Sequence, residues 1–153
     1  MKIIALIAPA TWPAVVDAAK RHEAADVTLV ATAEPLAPLV GPPGGLMGRE
    51  RPPEPAPHLA ESAATDLLTQ ASAALGRAVT TQVLQGPAER SVVQVCAGAD
   101  VLILARDGDN TRLGPASLAH QTRFIVDHAP CAVELVWPTP PPSVATIPPP
   151  PGH

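Results

Sequence analysis

Residues 100–137, DVLILARDGDNTRLGPASLAHQTRFIVDHAPCAVELVW, constrain the fold more than any other part of the chain. An apolar run, Val101–Ala105, reads as a strand, and a polar loop containing Gly108 and Gly114 follows it. Apolar residues then recur at helical spacing from Leu118 to Val126, His128-Ala129-Pro130 stops the helix, and a second apolar run over 132–137 reads as another strand. Strand, loop, helix, strand is the unit in which an open parallel sheet places its ligand. The seat is the carboxyl end of the first strand, beside the N-terminus of the helix.

The rest of the chain repeats that alternation. Residues 2–8 form a continuous isoleucine-rich run suited to a strand covered on both faces. Thr11 offers an N-cap and Pro13 a first helical turn, and Lys20, Arg21 and His22 lie at the C-terminal end, where cations are favoured. Residues 27–32 read as a second strand, 58–76 as an alanine- and leucine-striped helix stopped by Gly76, and 78–84 as a third strand. Pro87 and Glu89 open a short helix with Val92, Val93 and Cys96 inward, ending at Gly98. The order βα, βα, βα, βα, β predicts an α/β, three-layer, Rossmann-like domain over residues 1–137. Its open five-stranded parallel sheet has right-handed crossovers and helices on both faces.

Proline marks what lies outside that core. Of 21 prolines, eight fall within residues 34–57 and eight within 138–153. The first cluster, with GPPGGLMG inside it, predicts a long flexible excursion between the second strand and its following helix. It lacks the Lys-Ser/Thr pair of a phosphate loop, and no strand feeds it directly. The second cluster predicts a disordered or polyproline II tail.

Several function classes drop out on composition. The net charge of −4, with no basic stripe interleaved with aromatics, argues against nucleic-acid binding. No apolar run is long enough to span a bilayer, and the N-terminal run has no signal-peptide pattern, so no membrane association is expected. Cys96 and Cys131 sit on apolar segments outside any metal-ligand spacing, as reduced thiols of a cytoplasmic protein would. The histidines show no paired ligand spacing, so no metal site is expected. Ser117, His120 and Asp127 do not make a triad, because Asp127 lies two helical turns beyond the imidazole it would have to orient. Asp107 and Asp109 read as turn-forming loop acids, and Trp137 as an edge or dimer contact. No catalytic residue is expected, and the chain reads as a non-enzyme.

Three pieces carry a family likeness. Gly86-Pro87-Ala88-Glu89 opens a helix, Ala99-Asp100-Val101-Leu102-Ile103-Leu104-Ala105 follows, and His128-Ala129-Pro130-Cys131-Ala132-Val133 ends the unit. Together they resemble the C-terminal half of a universal stress protein domain, while the N-terminal half matches in element order. The resemblance implies strand order 3-2-1-4-5, a homodimer paired through the last strand, a role in stress responses, and in many members ATP binding without efficient catalysis. ATP-binding members carry Gly, two residues, Gly, nine residues, Gly, then Ser or Thr, with an Asp ending the first strand. Carried over position by position, the first Gly falls on Ala105, the second on Gly108, the third on Ala119 and the Ser/Thr on His120. The spacer from Gly108 to Ala119 is one residue longer than the family's by that count, and Ala8-Pro9 stands where the Asp would be.

The candidate nucleotide-binding set is therefore Ala8, Pro9, Ala105, Arg106, Gly108, Arg112, Ser117, Ala119 and His120. Alanine in place of glycine disfavours positive φ and weakens a backbone cradle, and the His120 ring could fill phosphate space. Arg106 and Arg112 could still meet an anion, with a helix N-terminus near Ser117 supplying free N–H groups. The expected function is a non-catalytic stress-response or regulatory domain, without the family's usual ATP mode and with a protein partner. The alternative is a nucleotide-binding module for ATP, AMP or a cyclic nucleotide in an altered pocket, and a third reading is a small phosphate-handling enzyme. ATP or another adenine nucleotide is the cofactor the resemblance suggests.

Overall fold

A computed structural model describes residues 1–36 and 57–150 of the chain. Along them run β1 (Lys2–Leu6), α1 (Trp12–Lys20), β2 (Asp26–Thr32), α2 (Pro57–Leu75), β3 (Thr80–Leu84), α3 (Ala88–Val95), β4 (Val101–Ala105), α4 (His120–His128) and β5 (Ala132–Val136). The strands form one parallel sheet of order β3-β2-β1-β4-β5, the order the resemblance implies. Most of the excursion expected over 34–57 lies outside the described residues.

Strand alternation sorts the core into two layers. Ile3 and Ala5 of β1, with Ile7 just after it, face α1 and α2, where Val15, Ala18, Leu68 and Ala71 complete an apolar layer. Ile4 and Leu6 face the other way, toward Val92 and Cys96 of the α3 end and Ile125 of α4. The central strands carry apolar residues on both faces for that reason, and Ile3, Leu29, Leu102 and Ile103 have no exposed surface. Each such side chain contributes about 1.5–3 kcal/mol on burial. The many alanines of α1 and α2 let those helices sit close to the sheet.

The two sheet edges differ. On β3, Thr80, Thr81 and Gln82 are exposed, and only Leu84 is buried. On β5, Glu134 points toward the α1 layer, where its Oε1 lies 2.9 Å from His22 Nε2 and its Oε2 4.0 Å from Arg21 Nη2. A charge turned inward on an edge strand discourages indiscriminate edge-to-edge pairing. Arg77 braces the same helix end, donating to the carbonyls of Glu23 at 2.6 Å and His22 at 2.8 Å.

Three local expectations need correction. Thr11 holds the N-cap position of α1 but makes no side-chain cap bond. Helix α4 starts at His120 rather than Leu118, because Pro115–Ser117 form a 3-10 turn and Leu118 is extended. The tail is not featureless over 138–150: a 3-10 turn, Val144–Thr146, is capped by the Ser143 hydroxyl, which accepts from Ala145 N–H at 3.1 Å. Thr146 Oγ1 accepts from Leu113 N–H at 2.9 Å, which fastens this turn to the β4–α4 loop. Among the described residues, no helix is long and apolar enough to cross a membrane.

Candidate functional site

The register Ala5↔Ile103 brings the carboxyl ends of β1 and β4 to one edge of the sheet. This is the switch point of a doubly wound sheet, since β2 and β3 lie to one side of β1 and β5 lies beyond β4. Any ligand of the type the fold accepts would enter here, between the β1–α1 connection and the β4–α4 loop.

The β4–α4 loop is knitted by its own polar groups. Gly108 N–H donates to Ser117 carbonyl at 2.9 Å and Asp109 N–H to Ala116 carbonyl at 2.7 Å, so the loop doubles back on itself. A Cβ on Gly108 would lie 2.3 Å from the Ala116 carbonyl oxygen and 2.8 Å from Ser117 carbonyl carbon. The one glycine that matches the family pattern is thus required by the loop's own backbone. Neither Ala105 nor Ala119 adopts a positive φ, consistent with side chains at both positions.

The start of α4 already holds an anion. Asp107 Oδ1 accepts from Ala119 N–H at 3.0 Å, and Oδ2 accepts from the Thr122 hydroxyl. Ala119 and Thr122 are each 1% exposed. A carboxylate on a helix's first free N–H groups satisfies donors that would otherwise meet a phosphate, and it complements the positive end of the helix dipole. The helix expected near Ser117 begins three residues later, at His120, and Asp107 takes the N–H of its N-cap residue, Ala119.

Arg106 lies beneath this seat. Its backbone N–H donates to Val136 carbonyl at 2.9 Å, its Nη1 donates to Ser117 Oγ at 2.6 Å, and its guanidinium carbon sits 4.4 Å from the Trp137 ring centre. Arg106 Nε is buried without a hydrogen-bond partner. Ser117 has no exposed surface, and its hydroxyl donates to Gly114 carbonyl at 2.8 Å. That hydroxyl is fully engaged, which removes it as a nucleophile.

The remaining candidates point elsewhere. Arg112 pairs with Asp109, Nε to Oδ2 at 3.3 Å, and is largely exposed. The hydroxyl and amide of Thr111 hold the Asp109 carboxyl below its usual range, with Arg112 adding to the effect. His120 is exposed and does not fill the seat. Ala8 is half-buried, and Pro9 is exposed at the end of the β1–α1 connection. The structure thus gathers Arg106, Gly108, Ser117 and Ala119 and leaves Arg112 and His120 on the outside. Sequence reasoning missed two members, Asp107 and Thr122. Their separation in the chain gives no spacing signal, and only the folded loop joins them.

Cavities of about 500 and 380 Å³ lie between α2 and β3 and between α1 and the tail. Neither is lined by a candidate residue of the β4–α4 loop. No group of three metal-ligating side chains occurs among the described residues.

No family model and no curated protein matches the chain. Solved structures do. Universal stress protein UspA from Lactobacillus plantarum is similar at 17% identity, covering 88% of this chain and 96% of that one with a TM-score of 0.60. A universal stress protein in complex with cAMP is similar at 15% identity over 91% of this chain and 98% of that one, TM-score 0.54. An Arabidopsis thaliana universal stress protein family member with AMP bound is similar at 11% identity over 90% and 91%, TM-score 0.54. The fold of this chain is that of the universal stress proteins.

Proposed function

We propose that this chain is a non-catalytic, universal stress protein-like regulatory domain that acts without the family's ATP cradle. The observation that carries the reading is Asp107, whose carboxylate accepts from the N–H of Ala119, the N-cap residue of α4, and from the Thr122 hydroxyl. A nucleotide phosphate brought to the same donors would meet a like charge, and the close approach that Gly108 permits is used by Ala116 and Ser117. The engaged Ser117 hydroxyl and the outward His120 also leave no nucleophile–base pair, which favours a non-enzyme. Output through a protein partner follows, in a cytoplasmic setting suited to two free thiols. Homodimerisation through β5 completes the reading, because β5 is an edge strand whose outer side has no partner among the described residues.

A second reading has its own support. Arg106 forms no ion pair among those found in the described residues, its Nε lacks a partner, and two structures of the same fold have cAMP and AMP bound. In that reading the loop opens and Arg106 meets the phosphate of a nucleotide.

Thermal shift against ATP, AMP and cyclic AMP at millimolar concentration separates the two. A ligand that binds only the folded state, at about 100 times its Kd, adds about 2.7 kcal/mol and must raise Tm. A flat response is expected. A rise with any of the three that Arg106→Ala abolishes would replace the first reading with the second. Phosphate release from ATP is expected to stay at the blank.

A further inference from the structure

The chain's two cysteines, Cys96 and Cys131, are both free, and the fold brings them to one place. Cys96 ends α3 and has no exposed surface, while Cys131 immediately precedes β5 and is half-buried. The register of the last two strands sets Val101 opposite Ala132, and Ala132 N–H donates to Asp100 carbonyl at 3.2 Å. Cys131 is therefore level with the start of β4. The chain leaves α3 by a tight reversal in which Ala99 N–H donates to Cys96 carbonyl at 3.0 Å and Gly98 takes φ +80. That reversal sets Cys96 over the same strand end. Both side chains enter the layer formed by Val92, Leu102 and Ile125. Burial pushes the Cys96 thiol up to about 12, and the facing thiol of Cys131 raises it further within that shift.

Two facing thiols, one reachable from solvent and one sealed, have the asymmetry of an attacking and a resolving cysteine. A metal reading has no third donor beside them among the described residues. We propose that Cys96 and Cys131 are a peroxide-oxidisable dithiol that closes reversibly to an intramolecular disulfide between the end of α3 and the start of β5. This assignment is independent of whether a nucleotide binds.

The oxidant is hydrogen peroxide, and the steps balance. Cys131 sulfur attacks one peroxide oxygen, the O–O bond breaks as the S–O bond forms, and the thiol proton leaves with the departing hydroxide as water. Cys96 sulfur then attacks the Cys131 sulfur, the S–O bond breaks, and the S–S bond forms. The Cys96 proton leaves with the hydroxide as a second water. Two electrons pass from the two sulfurs to one peroxide. Cys131 must react first because Cys96 is sealed from solvent, whereas Cys131 is half-buried and within reach of peroxide. The sulfenic acid it forms has a thiol, rather than bulk water, as its nearest nucleophile.

The test is peroxide treatment of the reduced full chain, followed by alkylation in denaturant and intact-mass and peptide mapping. The expected product has lost about 2 Da, takes up no alkylating reagent, contains one peptide pair joining Cys96 to Cys131, and returns to the starting mass with dithiothreitol. Cys96→Ser is expected to stop at Cys131 sulfenic acid that dimedone traps, and Cys131→Ser to leave Cys96 unoxidised. Mapping of the unsubstituted chain decides the matter even where a variant does not fold. A product about 32 Da heavier with sulfinic acid on Cys131 and Cys96 still alkylatable would overturn the proposal, as would a disulfide found only between chains.

Discussion

Two connections meet at the carboxyl edge of the sheet, and they are built in opposite ways. The β1–α1 connection is a short backbone turn: Thr11 and Trp12 N–H groups donate to Ala8 carbonyl at 3.3 and 3.0 Å, and Pro9 and Ala10 are exposed. It carries no carboxylate, and its one hydroxyl, on Thr11, makes no cap bond. The β4–α4 connection is longer, and its side chains satisfy its own donors. Asp107 closes the start of α4, Arg106 holds Ser117, and Thr146 of the tail holds Leu113. The longer loop places a carboxylate at the helix start, while the shorter one carries no acid.

That contrast, and the core beneath it, can be tested in order of effect. The largest change should come from the core. The Cys96 thiol titrates near its ordinary 9.0 when unfolded and at about 12 when folded. Between those values the unfolded chain has released a proton that the folded chain keeps, so stability present below pH 9 is lost as pH climbs toward 12. The slope is about 1.4 kcal/mol per pH unit, and over the whole window the loss approaches about 4 kcal/mol. Urea unfolding midpoints from pH 8 to 11 should fall more steeply in the unsubstituted chain than in Cys96→Ala, and equal slopes would contradict the shift.

Next is Gly108→Ala. Its Cβ meets backbone, which has little room to give, and the expected cost is about 3 kcal/mol by equilibrium urea unfolding. A cost under about 0.5 kcal/mol would show that the loop is not packed on itself, and the contrast between the two connections would fail. Asp107→Ala should cost about 1–2 kcal/mol, through loss of two hydrogen bonds at a helix start. The same variant empties the anion seat, so inorganic phosphate should raise its Tm more than that of the unsubstituted chain. Ala10→Gly, in the short connection, should shift stability by less than about 0.5 kcal/mol. Deleting 138–153 should leave the circular dichroism spectrum intact and cost about 1 kcal/mol, the scale of the Leu113–Thr146 bond. A large fall in Tm on truncation would mean that the tail is part of the core.

What the sequence disclosed follows the same division. The strands were legible because a sheet covered on both faces demands unbroken apolar runs such as residues 3–6 of β1 and Val101–Ala105. The helices were legible from their 3.6-residue stripes, and the switch point followed from strand order. The loop was not legible. Asp107 meets Ala119 and Thr122 only after the chain has reversed through Pro115–Ser117, and no local pattern encodes that reversal. His22 and Glu134 likewise meet from opposite ends of the chain. Gly108 was noticed for a phosphate and turned out to serve its neighbours' backbone. Proline content described the tail's composition correctly and hid its fastening, in which the Thr146 hydroxyl holds Leu113 and Pro148 lies close over Gly114.

The stacking of Arg106 on Trp137 has an optical consequence. The chain has two tryptophans, and Trp12 opens α1, just past the other connection. A guanidinium held against an indole face alters the emission of that indole, so any event that lifts the β4–α4 loop should change Trp137 fluorescence. In a Trp12→Phe background, the protein would carry its own single-residue reporter of whether this edge is open or closed, with no added label.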